Sequence, residues 1–126
     1  MQTTRLPAAV DTPAPDGSQI RLLLTLTGGS AAHCTLPPGG VSLAVTHRTV
    51  EEIWYFLSGQ GQVWRKQGEH EGTVDVASGT CLTIPLGTHF QFRNDGTDPL
   101  CFLITTMPPW PGAEEAVRVA DHWEVR

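Results

Sequence analysis

The sequence predicts an all-β barrel, and three observations carry that prediction. Short strand-like runs recur along most of the chain, turn-forming residues bound each of them, and the only helical candidate is a short turn around 114–117. The runs fall at about 20–27, 31–36, 41–47, 52–57, 61–66, 72–76, 80–85, 88–94 and 99–107. Between them lie Gly28-Gly29, Pro37-Pro38-Gly39-Gly40, Ser58-Gly59-Gln60-Gly61, Gln67-Gly68, Ser78-Gly79 and Asn94-Asp95-Gly96. The 13 glycines and 10 prolines are spread along the chain, as many short strands joined by turns require.

A length of 126 residues fits one compact domain. Residues 1–19 hold three prolines and little periodicity and are expected to form an N-terminal arm. The barrel is expected over 20–112, with 113–126 as a C-terminal tail packing on it. Hydrophobic residues, at 40%, suffice for a core, and only 17% are charged. The net charge of −5 and the eight dispersed Lys and Arg exclude a nucleic-acid partner. Cys34, Cys81 and Cys101 are odd in number and lack metal-type spacing, so they are expected as small buried hydrophobes in a reducing compartment. The N-terminal residues contain no apolar secretory segment, and no run approaches the roughly 20 apolar residues of a membrane span. A cytoplasmic protein with no membrane partner is expected.

Two strands are apolar on both faces. In 20–27, Ile20, Leu22 and Leu24 alternate with Leu23, Thr25 and Thr27; in 99–107, Leu100, Phe102 and Ile104 alternate with Cys101, Leu103 and Met107. A sheet with one wet face alternates cleanly, so something covers the outer face, and in so short a chain a second subunit is the expected cover. A homodimer follows as the expected assembly.

Two spaced motifs occupy the middle of the chain. Gly39 is followed after five residues by Val45-Thr46-His47, after four more by Glu52, and after six more by Gly59. Gly79 is followed after five residues by Pro85-Leu86-Gly87, then Thr88-His89, Phe90 and, after three residues, Asn94. In order and in spacing, these resemble the two motifs of the cupin superfamily over about residues 30–107. The phrases HRTVEEIWY (47–55) and MPPWPG (107–112) resemble an uncharacterised single-domain group of cupins, which brings no substrate with it. The resemblance implies a cupin double-stranded β-helix, a jelly-roll barrel.

In metal-binding cupins, two His and a Glu of the first motif and a His of the second hold one divalent ion. Here the resemblance supplies His47 and Glu52, while Val45 and Phe90 stand at the other two ligand positions. His89 comes one residue early, and strand alternation turns it outward if Phe90 and Phe92 point inward; it joins the site only if a bulge shifts the register. His33 joins only if its strand turns it inward. A stable catalytic site usually keeps three protein ligands, so a degenerate metal site is expected, with a divalent ion as the conceivable cofactor.

Alternation also defines a pocket. With His47 and Glu52 inward, Val45, Trp54, Phe90 and Phe92 join them, giving greasy walls and two polar groups, the usual composition of a small-ligand site. Three functions are compatible with this set: a metal-dependent enzyme of dioxygenase, isomerase or lyase type on a small organic substrate, a metal-free binding or sensing module, and a metal-free enzyme using His47 and Glu52 as acid and base. The replaced positions favour a small-molecule-binding domain over the metal enzyme.

Overall fold

A computed structural model of the protein describes residues 1–14 and 17–126; Pro15 and Asp16, inside the segment expected as an arm, lie outside the described residues. Eleven strands are assigned: β1 (Thr12–Pro13), β2 (Gln19–Thr25), β3 (Ser30–Leu36), β4 (Val45–His47), β5 (Glu51–Ser58), β6 (Gln60–Gln67), β7 (His70–Ala77), β8 (Cys81–Ile84), β9 (His89–Arg93), β10 (Leu100–Met107) and β11 (Ala116–Arg118). They form two antiparallel sheets, ordered β1-β2-β3-β10-β5-β8 and β11-β4-β9-β6-β7. Among the described residues no helix is long and apolar enough to cross a membrane.

The two-residue period decides which side chains meet between the sheets. Along β5, Glu52, Trp54 and Phe56 are buried while Glu51, Ile53, Tyr55 and Leu57 are exposed. On β10 the same alternation sends Leu100, Phe102, Ile104 and Thr106 inward. β10 pairs with β5 in a register that sets Phe102 beside Phe56 and Ile104 beside Trp54. From the facing sheet, Phe90 and Phe92 of β9 and Val63 of β6 complete the core.

Turns hold this register. Gly59, at φ 85°, links β5 to β6 where a Cβ would strike the Pro99 and Leu100 backbone. Gly87, at φ 83°, completes the Pro85–Thr88 turn, in which Thr88 N donates to Pro85 O at 3.0 Å.

Three expectations need correction. Residues 41–47 are not one strand; only 45–47 is. Val41 keeps an isolated bridge to Arg93, but Ser42 Oγ takes Phe92 N and Val41 N donates to Arg126 O, which interrupts the ladder before β4. The turn expected at 114–117 is a 3₁₀ turn over Ala113–Glu115, and Ala116 and Val117 belong instead to β11, which covers the edge of β4 with Ala116 opposite His47. The strand expected at 20–27 stops at Thr25, where Leu26 N turns back to Gly29 O. Within the segment expected as an arm, Thr12–Pro13 pair with β2, and Leu22 N donates to the Asp11 carboxylate at 2.8 Å.

Candidate functional site

One end of the barrel is left unfilled. Four elements bring their inward residues to a cavity of about 320 Å³: β4 contributes Val45 and His47, β5 Glu52 and Trp54, β9 Phe90 and Phe92, and β10 Phe102, Ile104 and Thr106. β2, β3 and the segment after β10 close its sides, with Cys34 and Trp110 among the lining residues. The six residues expected to line a pocket are therefore brought together around one space.

The polar groups of this cavity are held from different sides. Glu52 is only 5% exposed; its Oε1 accepts from Trp54 Nε1 at 3.0 Å and its Oε2 from Thr106 Oγ1 at 2.6 Å. Two donors fix the plane of the carboxylate, because each oxygen is tied to a different strand. His47 is 8% exposed and packs edge-on against Phe90 and Trp110, with ring centroids 5.1 and 5.3 Å away. Its Nδ1 is buried without a hydrogen-bond partner among the described residues and lies 3.9 Å from Glu52 Oε1, beyond direct bonding distance.

Burial in these aromatic walls pushes the His47 pKa down to about 4, only partly opposed by the Glu115 carboxylate. His47 is thus a neutral imidazole at neutral pH. Glu115 is buried behind the site and ties the strap after β10 to the β4–β5 turn. It accepts from Thr49 N at 2.5 Å, Thr49 Oγ1 at 2.7 Å and Val50 N at 2.9 Å. Desolvation works against its charged form, yet these bonds, with His47 nearby, hold its carboxyl below the usual range. Trp110 N donates to Ser30 Oγ at 3.0 Å, which fastens the strap across the cavity's side.

The other two histidines considered as ligands stand elsewhere. On β9, Phe90 and Phe92 enter the core, and His89 follows the opposite parity. On β3, His33 is not among the residues lining the cavity; it pairs opposite Leu103 and is itself buried, at 7% exposure. Val45 and Phe90, opposite one another in register, fill with apolar atoms the two positions at which the resemblance implied further ligands. Among the described residues no group of three or more His, Cys, Asp or Glu is placed to hold an ion. His47 and Glu52 alone do not fit a resident divalent metal.

Sequence reasoning missed Thr106 and Glu115. Thr106 was findable, being the polar end of the inward stripe Leu100, Phe102 and Ile104. Glu115 was not, because its contacts lie 65 and 66 residues away along the chain.

Residues 32–106 match the family described as Cupin domain. An uncharacterised protein of Methanocaldococcus jannaschii is 35% identical over 100 residues, 75% of this chain and 77% of that protein. Among solved structures, an uncharacterised Klebsiella pneumoniae protein with a double-stranded β-helix domain superposes with a TM-score of 0.69 at 15% identity, covering 82% of this chain and 85% of that one. The Lactobacillus farciminis oxalate decarboxylase formate complex gives a TM-score of 0.70 at 22% identity, with 81% of this chain covered. Bacillus subtilis oxalate decarboxylase, described by its Mn(II) centres, gives 0.70 at 19% and the same coverage of this chain. The chain spans 31% and 28% of those two decarboxylases.

Proposed function

The chain belongs to the cupin domain family, and we propose that it binds a small, partly apolar molecule in its barrel mouth, with His47 and Glu52 as polar anchors. One observation carries the reading: a buried, unpartnered His47 Nδ1 beside a cavity of about 320 Å³. An unsatisfied buried polar atom costs about 1–3 kcal/mol, and a guest that bonds it relieves that cost.

Native mass spectrometry of the purified protein, followed by a thermal-shift panel of small organic molecules, tests this. At least one molecule should raise the melting temperature of the wild type and raise that of Glu52→Gln less. Failure of every molecule, or an equal shift in the variant, would count against the reading.

A metal-dependent enzyme is the second reading, prompted by the Mn(II) centres of the Bacillus subtilis protein. The two donors present do not support it, and we derive no reaction through a metal. A stoichiometric divalent ion surviving mild chelation in elemental analysis would restore it.

The homodimer is also proposed, on the outward side chains Ile53, Tyr55, Leu57 and Leu103, each 36–47% exposed on adjoining strands. A soluble monomer in sedimentation at micromolar concentration would overturn it. Of the three cysteines expected as buried only Cys34 is; Cys81 is exposed and Cys101 half-buried, and a reducing, cytoplasmic setting stays a proposal that cell fractionation tests.

A further inference from the structure

The cavity's polar geometry also restricts the chemistry of the guest. We infer that the pocket takes an uncharged, two-ring-sized molecule whose single hydroxyl or amino group bridges His47 Nδ1 and Glu52 Oε1, and that it rejects carboxylates. This rests on the pocket being a binding site and goes on to name the ligand class.

The bridge follows from one distance. His47 Nδ1 and Glu52 Oε1 are 3.9 Å apart, too far to bond each other. A single atom about 2.8 Å from both would see them at an angle of about 90°, within reach of ordinary hydrogen-bond geometry. A hydroxyl bridges the pair in the Nδ1–H tautomer, accepting from Nδ1–H while donating to the carboxylate; with Nδ1 unprotonated both groups accept, and two donor protons are needed. An amine N–H₂ can donate to both. The carboxylate itself is already oriented by Trp54 and Thr106, so the bridging group enters a preset acceptor.

Charge supplies the second restriction. Among the described residues none that lines the cavity is Lys or Arg, and the one carboxylate there is Glu52. A carboxylate guest would set a second negative group beside it, with no cation to compensate, and could not donate to it. This distinguishes the pocket from one built for a small dicarboxylate.

Size supplies the third. A water's share of liquid volume is about 30 Å³, so a cavity of about 320 Å³ holds on the order of ten such volumes, close to a two-ring molecule. The walls suit it, since Trp54, Phe90, Phe92 and Trp110 offer ring faces and edges.

Isothermal titration of the full-length protein at neutral pH with three matched probes tests the inference: 2-naphthol, 2-methoxynaphthalene and 2-naphthoate. The naphthol should bind about tenfold tighter than its methyl ether, the worth of one good hydrogen bond, and the naphthoate should not bind measurably. His47→Phe should abolish the naphthol's advantage. Glu52→Gln, which keeps an oxygen for Trp54 Nε1, should reduce it and guards against a misfolded His47 variant. Equal binding of naphthol and ether would overturn the bridge while leaving the pocket reading intact. Tightest binding by the naphthoate would overturn the exclusion of anions. Binding by none of the three would overturn the ligand class, and the pocket reading itself would then stand or fall on the thermal-shift panel.

Discussion

The two ends of this barrel are built from the same strands and obey the same alternation, yet one is solid and the other is hollow. At the closed end Phe56, Phe92 and Phe102 meet one another or Trp54 at centroid distances of 4.6–6.4 Å, and all three are at most 1% exposed. At the open end the inward positions Val45, His47, Glu52 and Thr106 line a cavity instead of filling it. Trp54, Phe92 and Phe102 belong to both, packing on one another and forming the floor of the cavity, and Trp54 Nε1 reaches up to Glu52. The difference teaches that stability and binding are divided along the barrel axis, and that substitutions at the two ends should behave differently.

The largest effect is expected at the closed end. Phe102→Ala removes a ring that touches Trp54, Phe56 and Phe92, and should lower the unfolding free energy by about 3–5 kcal/mol in denaturant titration. A loss below about 1 kcal/mol would mean the closed end is not the better packed of the two.

The next effect belongs to the open end and is set by pH. The unfolded His47 has a pKa near 6.5 and the folded one about 4, so between these values the unfolded chain takes up a proton that the folded chain refuses. Stability is therefore full above about pH 6.5 and falls as pH drops towards 4, by about 3 kcal/mol in total. His33, also lowered by burial and by Arg21, adds loss of the same sign. Glu115 acts lower, since its depressed pKa keeps its contribution in place until the pH falls through the folded value. Melting temperature against pH in wild type and His47→Phe should diverge as the pH falls below 6.5, the variant losing less. Parallel curves would place His47 in water.

Glu115→Ala should cost somewhat less, about 2 kcal/mol, because it frees the Thr49 and Val50 donors and unties the strap behind the cavity. Chemical denaturation measures the loss. Hydrogen exchange should locate it at 47–50 and 113–118; exchange unchanged there would mean that the strap holds by other contacts.

How much of this was legible depends on which force fixes each residue. The inward positions of Val45, His47, Glu52, Trp54, Phe90 and Phe92 follow from strict alternation within single strands, and two spaced motifs pin the register on both sides. The same reasoning placed His89 on the outer face, where β9 carries it. Segments whose backbone is satisfied by distant partners were not legible. Nothing local marks 116–118 as a strand, since it exists only as a cover for β4, and Ser42 breaks a promising run by taking Phe92 N with its hydroxyl. Thr106 lies between these cases: its parity was readable, but its role required Glu52, 54 residues away.

The smallest expected effect is the sharpest test of the division between the two ends. His47→Phe replaces a buried imidazole, whose Nδ1 has no partner, with a ring of similar size that needs none. It keeps the edge contacts to Phe90 and Trp110 and extends into space that is already open. Removing a buried unsatisfied polar atom is neutral or stabilising when shape is kept, so the change at pH 7 should be under about 1 kcal/mol, of either sign. Ligand-induced thermal shifts should nevertheless shrink, because the guest loses an anchor. A site maintained for function at some cost to the fold behaves in this way. A loss of about 2 kcal/mol or more, with ligand shifts retained, would mean that His47 holds the barrel together, and the division into a stabilising end and a binding end would have to be abandoned.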